Sequence, residues 1–177
     1  MFKRFSFSNK LSKEQEIDII LNDIFKICNS MHVETEEIFE LNLCSYKYET
    51  KEAVDGLGLD KELVDQLLED YVSQILNNII SFNSCIEKLK SVNTGDRKVN
   101  KLRESDYTQL RELAHKNLGV ARNLRIKDAE KLLKFLHNSD NIEHLVIAIQ
   151  LLEACAIKLK TNCAYNVLNL MKIKNSF

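Results

Sequence analysis

The chain has 177 residues, 45% of them apolar and 29% charged, with no proline and only four glycines. Sandwiches and barrels draw their tight turns from Gly and Pro, so this composition predicts helices. With 25 Lys and Arg against 26 Asp and Glu, the net charge is -1, which excludes the basic excess of a general nucleic-acid binder. No apolar run approaches the ~20 residues that a membrane span needs, and no continuous apolar stretch follows the basic residues of MFKRFSFSNKLSK, as a signal peptide requires. Five cysteines, Cys28, Cys44, Cys85, Cys155 and Cys163, lack any C-x-x-C spacing. They read as reduced thiols filling a core, not as a disulfide frame or a zinc site. The expectation is a soluble, cytoplasmic, helical protein.

Residues 1–11 read as a loose tail. Ser12 and Gln15 form a capping box for an amphipathic helix over about 13–30, with Ile17, Ile20, Leu21, Ile24, Phe25 and Cys28 at helical spacing. A weaker segment follows Thr35, where Glu36 and Glu37 suit a helix start. The stretch Leu41–Tyr48 stays open. A short helix over Lys51–Leu57 stops at the Gly56–Gly58 pair. Asp60 then caps a long helix that carries Leu63, Leu67, Tyr71, Ile75, Ile79, Phe82, Ile86 and Leu89. Residues 90–105 are polar and basic around Asn-Thr-Gly-Asp and read as a loop. Asp106 with Gln109 is expected to cap a helix to about Leu124, a further helix covers about 127–137, and Ser139 or Asp140 caps the last. That helix runs through Leu159 and continues at helical spacing to Val167, Leu168 and Met171. The predicted fold is all-α, an antiparallel four-helix bundle over residues 50–177 with an additional N-terminal helical segment in 1–49.

One segment carries chemistry. In LRELAHKNLGVARNL, residues 110–124, residues about 100° apart put Leu110, Leu113, Ala114, Asn117, Ala121 and Leu124 on one core-facing stripe. His115 falls on the other side, with Arg111, Gly119 and Arg122 at offsets that share its face. A neutral imidazole is a nucleophile whose ring nitrogen takes up a phosphoryl group. Two guanidinium groups are suited to hold the added charge, Lys116 supplies a further cation, and Gly119 removes the side chain that would keep a partner from the ring. Leu118 lies about 60° from His115, near the border of the stripe.

The run AHKNLGVARNL followed by RIKDAEKLL resembles the histidine-containing phosphotransfer (HPt) domain of bacterial two-component phosphorelays. The hallmark matches at Ala114, His115, Gly119, Ala121 and Leu124. GLGLDKELVDQLLEDYVSQI is similar to that family's earlier helix, with Leu59–Asp60 at its start, and the resemblance covers roughly residues 50–160. Leu118 stands where the family usually has Lys, and Asn117 where it usually has an apolar residue. The resemblance implies a four-helix bundle with His115 as phosphoacceptor and Arg111, Lys116, Leu118, Gly119 and Arg122 around the phosphate and the docked partner. That partner would be the receiver domain of a response regulator or hybrid sensor kinase, whose aspartate exchanges the phosphoryl group. Such a chain is a phosphocarrier, not an enzyme; it needs no cofactor and engages neither nucleic acid nor membrane. The alternative is a degenerate HPt-like interaction or scaffold protein without phosphotransfer, and the sequence leaves the oligomeric state open.

Other candidates carry less. His32, His137 and His144 have no acidic or thiol partner at metal-ligand spacing, so no metal site is expected. No glycine-rich phosphate loop or nucleophile motif occurs. The basic residues Arg97, Lys98, Lys101 and Arg103 read as a solvated loop.

Overall fold

The structure is a computed structural model that describes residues 38–41, 47–94 and 103–174, with side chains described through 91 and, in the last helix, through 160. The expected helix at 13–30, the segment after Thr35 to residue 37, His32, Cys28, Cys44, and Arg97, Lys98 and Lys101 lie outside the described residues. Those residues form five helices and no strand: α1 (Lys51–Leu57), α2 (Lys61–Thr94), α3 (Glu104–Asn123), α4 (Lys127–Asn138) and α5 (Ile142–Lys174). The described residues are all-α, and among them no helix is long and apolar enough to cross a membrane.

Each boundary has a local cause. Gly58 closes α1 in the left-handed region at φ 66°, its N–H donating to the Val54 carbonyl at 2.9 Å; glycine meets no Cβ penalty there. Asp60 caps α2 as read from the sequence, its Oδ1 accepting the Leu63 N–H at 2.8 Å. The start of α3 differs from expectation. Asp106 is not the cap but the third helical residue, and its Oδ2 reaches back to accept the Arg103 N–H at 2.7 Å, the reverse arm of a capping box. Residues 90–94 and 104–105, expected in the loop, are therefore helical. At α5 neither Ser139 nor Asp140 caps. Asn141 does so, accepting the His144 N–H at 3.1 Å, while Ser139 Oγ accepts the Asn141 N–H at 3.3 Å.

The buried stripe of α2 also corrects the sequence expectation. Leu63 and Leu67 are 40% and 37% exposed, while Val64 and Leu68 are buried with Tyr71, Ile75, Phe82, Ile86 and Leu89. A step of four residues overshoots a turn by about 40°, so strict fours from Leu63 to Ile75 drift by about 120°. Val64 and Leu68 lie within about 20° of Ile75 and share its direction. Each such side chain contributes about 1.5–3 kcal/mol on burial. Helix α2 packs against α3 and α5, α4 also packs against α3 and α5, and α1 sits on α2 and α3. Phe39 and Leu41 join the same core, Phe39 meeting the Phe135 ring edge-on at 4.7 Å. The backbone of α5 continues past Leu159 to Lys174, covering the helical spacing read at Val167, Leu168 and Met171.

The α3–α4 turn is held from a distance. Arg125 adopts φ 58°, a conformation that costs a non-glycine residue about 1–2 kcal/mol. Its guanidinium lies on the open face of Gly56, where a Cβ would meet Nη2 at 3.0 Å. The Tyr48 hydroxyl donates to the Leu124 carbonyl at 2.7 Å, and Lys127 pairs with Glu52 at 2.9 Å.

The core contains four ionisable groups: two thiols, a phenol and a carboxyl. Cys85 and Cys155 are buried free thiols. Burial, and next the charge of Asp128, pushes the Cys155 thiol up to about 12, so it stays protonated and unreactive. The Tyr71 hydroxyl and Asp128 Oδ2 are buried without a hydrogen-bond partner. Burial raises the Asp128 carboxyl above its usual range, opposed by Lys131 and Lys158. A carboxyl whose folded pKa exceeds its unfolded one costs stability above the folded pKa, and that cost fades as pH falls through it. Asp128→Asn is therefore expected to gain about 1 kcal/mol at pH 7 by removing a poorly solvated charge, with the gain narrowing towards pH 4. Thermal unfolding of both proteins from pH 4 to 8 checks this; a loss of stability at pH 7 would show that the charge is needed at the α4 N-terminus.

Candidate functional site

Helix α3 presents its outer face through residues that the core does not claim. Tyr107, Leu110, Ala114, Asn117, Leu118 and Ala121 are buried. His115, Lys116, Gly119 and Arg122 are exposed, and Arg111 is intermediate. The expected placement of His115 beside Gly119 and away from the stripe is what the structure has. A Cβ built on Gly119 meets nothing within 4 Å, so the surface one turn beyond the imidazole is open. Leu118 is a correction. At 6% exposure it belongs to the core and offers nothing to a phosphate or to a docking partner, because α3 is flanked by both α2 and α4 and so buries a wider arc than a single stripe.

The two arginines are engaged within the fold. Arg111 Nη1 donates to Glu104 Oε1 at 2.9 Å and Nη2 to Asp140 Oδ1 at 2.6 Å. The guanidinium lies 5.4 Å from the centre of the Tyr107 ring, and the Tyr107 hydroxyl donates to the Asp140 carbonyl at 2.9 Å. This cluster ties the start of α3 to the α4–α5 corner, and burial, with the Asp140 charge next, pushes the Tyr107 phenol up. Arg122 Nε donates to Glu130 Oε1 at 3.1 Å, and Lys134 Nζ reaches the same oxygen at 2.7 Å. The Lys134 hydrogen bond is the main cause that holds the Glu130 carboxyl below its usual range; burial opposes it and Arg122 assists. With the Arg122 side chain 49% exposed and that of Arg111 20% exposed, Arg122 is the one a solvent-borne anion reaches.

What the ring of His115 does meet is a second imidazole. The centres of the His115 and His137 rings are 5.6 Å apart, their planes inclined by 46°. His137 Nδ1 lies 2.8 Å from Asn138 Oδ1, a hydrogen bond that forms in the tautomer with its proton on Nδ1. The signal for this pair was present in the sequence. His115 and His137 each stand eleven residues from Ile126, and Arg122 and Glu130 each stand four from it. Reflecting α3 onto α4 about the turn at Ile126 finds both contacts, whereas His137 considered alone suggests only a favourable charge near a helix end.

Among the described residues no three His, Cys, Asp or Glu side chains are grouped as a metal ion would require. His144 lies instead against Phe135, ring centres 6.4 Å apart. No protein-family model, curated protein or solved structure matches the chain.

Proposed function

We propose that this chain is a cytoplasmic phosphorelay intermediate, an antiparallel four-helix bundle formed by α2–α5 that accepts and donates a phosphoryl group on His115. The observation that carries this reading is an exposed imidazole on a helix face left open by Gly119, in a segment that resembles the HPt motif. The donor is the aspartyl phosphate of a receiver domain in a response regulator or hybrid sensor kinase. A ring nitrogen of His115 attacks phosphorus, the N–P bond forms, and the P–O bond to the aspartate breaks with its electron pair leaving on the carboxylate. The same step runs in reverse to pass the group on. Lys116 and Arg122 supply the positive charge near the phosphoryl oxygens, Arg122 by exchanging Glu130 for the stronger anion. Arg111 stays with Glu104 and Asp140 and contributes by holding α3 in place. The chain acts as a carrier, the receiver bringing the reactive acyl phosphate.

A second reading is an HPt-like scaffold without phosphate chemistry. It is favoured by the carboxylates on both arginines and by the burial of Leu118 at the position of the family's lysine. Incubation with a panel of phosphorylated receivers separates the two. The relay reading expects an acid-labile, alkali-stable label that His115→Gln abolishes while the helical circular dichroism is unchanged, since the ring is exposed. Label that persists in His115→Gln moves the acceptor elsewhere, and an inert wild type across the panel leaves the scaffold.

A further inference from the structure

We infer that His137 is a second phosphoryl-binding residue, acting directly on the group carried by His115. The inference rests on the phosphorelay reading and adds a residue to it that the sequence motif does not contain. A phosphohistidine carries negative charge, and charge of that kind is held by hydrogen-bond donors that are themselves cationic. The arginines that the sequence places nearest are already bonded to carboxylates, Arg111 to two of them. The aromatic neighbour of His115 is His137, on the adjacent helix, with ring centres 5.6 Å apart.

The second contact of the ring suits the task. With Nδ1 protonated, His137 donates to Asn138 Oδ1 2.8 Å away, which fixes the ring and leaves Nε2 as its uncommitted nitrogen. Protonated on both nitrogens, the ring presents Nε2–H as a charge-assisted donor. His137 is partly exposed, so the proton comes from solvent, and no further reactant is needed. The rings are tilted by 46° rather than stacked, and with centres 5.6 Å apart the second imidazole is a near neighbour of any group that His115 carries. The placement is rigid at both ends, His115 in the middle of α3 and His137 in the last turn of α4, with Arg122–Glu130 fastening the same two helices nearer the turn.

The test uses the full chain with phosphoramidate as a small phosphoryl donor, which removes receiver docking from the measurement. Phosphorus NMR follows the rate at which His115 is phosphorylated and the lifetime of the product in wild type, His137→Phe and His137→Lys. Phe keeps a ring and loses the donor; Lys restores a cation. The expected result is a roughly tenfold slower phosphorylation and a shorter-lived product in His137→Phe, equivalent to about 1.4 kcal/mol, with His137→Lys within about threefold of wild type. A purely structural role would move the unfolding midpoint and leave the lifetime of the product unchanged. If His137→Phe matches wild type in both rate and lifetime, or if Lys fails to rescue, the inference is overturned while the relay reading stands. If wild-type His115 takes no label from phosphoramidate or from phosphorylated receivers, both fall together.

Discussion

Leu118→Lys is expected to destabilise the protein by about 2–5 kcal/mol, the range for removing a large aliphatic side chain from a packed core. From the sequence, a lysine here looks harmless and even useful, since position 118 borders the stripe and the HPt family usually carries Lys there. The structure reverses this. Leu118 is 6% exposed and lies about 40° around the helix from fully buried Ala114. An ammonium placed there is either desolvated without a partner, which costs several kcal/mol more, or reaches solvent by displacing neighbours, which opens the cavity that Leu118 fills. Snorkelling along the stem moves the cost towards the lower end of the range. Urea unfolding measures the effect directly, and a change below about 1 kcal/mol would return Leu118 to the boundary. If the chain relays phosphate as proposed, transfer per folded molecule is expected to stay flat, since a buried position does not present charge to His115.

Asn117→Ala is expected to cost about 2–3 kcal/mol, although asparagine is the residue that looks misplaced on the stripe. Asn117 is fully buried. Its Oδ1 accepts from Gln74 Nε2 and Asn78 Nδ2, both at 3.0 Å, and its Nδ2 donates to the Leu113 carbonyl at 2.7 Å. Three hydrogen bonds of about 1 kcal/mol each join one amide to two side chains a helical turn apart on α2, so the node fixes the register of α3 against α2. Removing it orphans two donors in a half-buried groove. A double-mutant cycle with Asn78→Ala should return a coupling of about 0.5–3 kcal/mol. Additive losses would mean that the two amides share no energy and that Asn117 is held by its own helix alone.

These two neighbours mark where the sequence is informative about this molecule. Helices α1 to α5 are legible because apolar residues recur at helical spacing and because Gly58 and Asp60 punctuate the chain with standard chemistry. Asp106 and Asn141 are misjudged because several polar residues in a row can each cap, and only the backbone decides which side chain reaches which N–H. The exposed face at His115 and Gly119 is legible from angular arithmetic on one helix. The amides of α2 that meet Asn117, the Glu130 carboxylate on Arg122 and the second imidazole at His137 are contacts between helices. They depend on which helix lies beside which and at what height, and a single helical wheel holds neither quantity.

The fastening of the α3–α4 turn has a consequence in time. Tyr48 bonds to the Leu124 carbonyl 76 residues later in the chain, and Glu52 to Lys127 after 75. At a synthesis rate of roughly 5–20 residues per second, the clamp waits about 4–15 s for the turn that it will hold. During that interval Tyr48 and Glu52 have been made and α2 has followed them, with the open face of Gly56 still lacking the Arg125 guanidinium. When α3 and α4 emerge they can pair at once, being neighbours in sequence, and Arg125 meets partners that were synthesised before it. The clamp therefore has no counterpart to close on until residues 124–127 have been made.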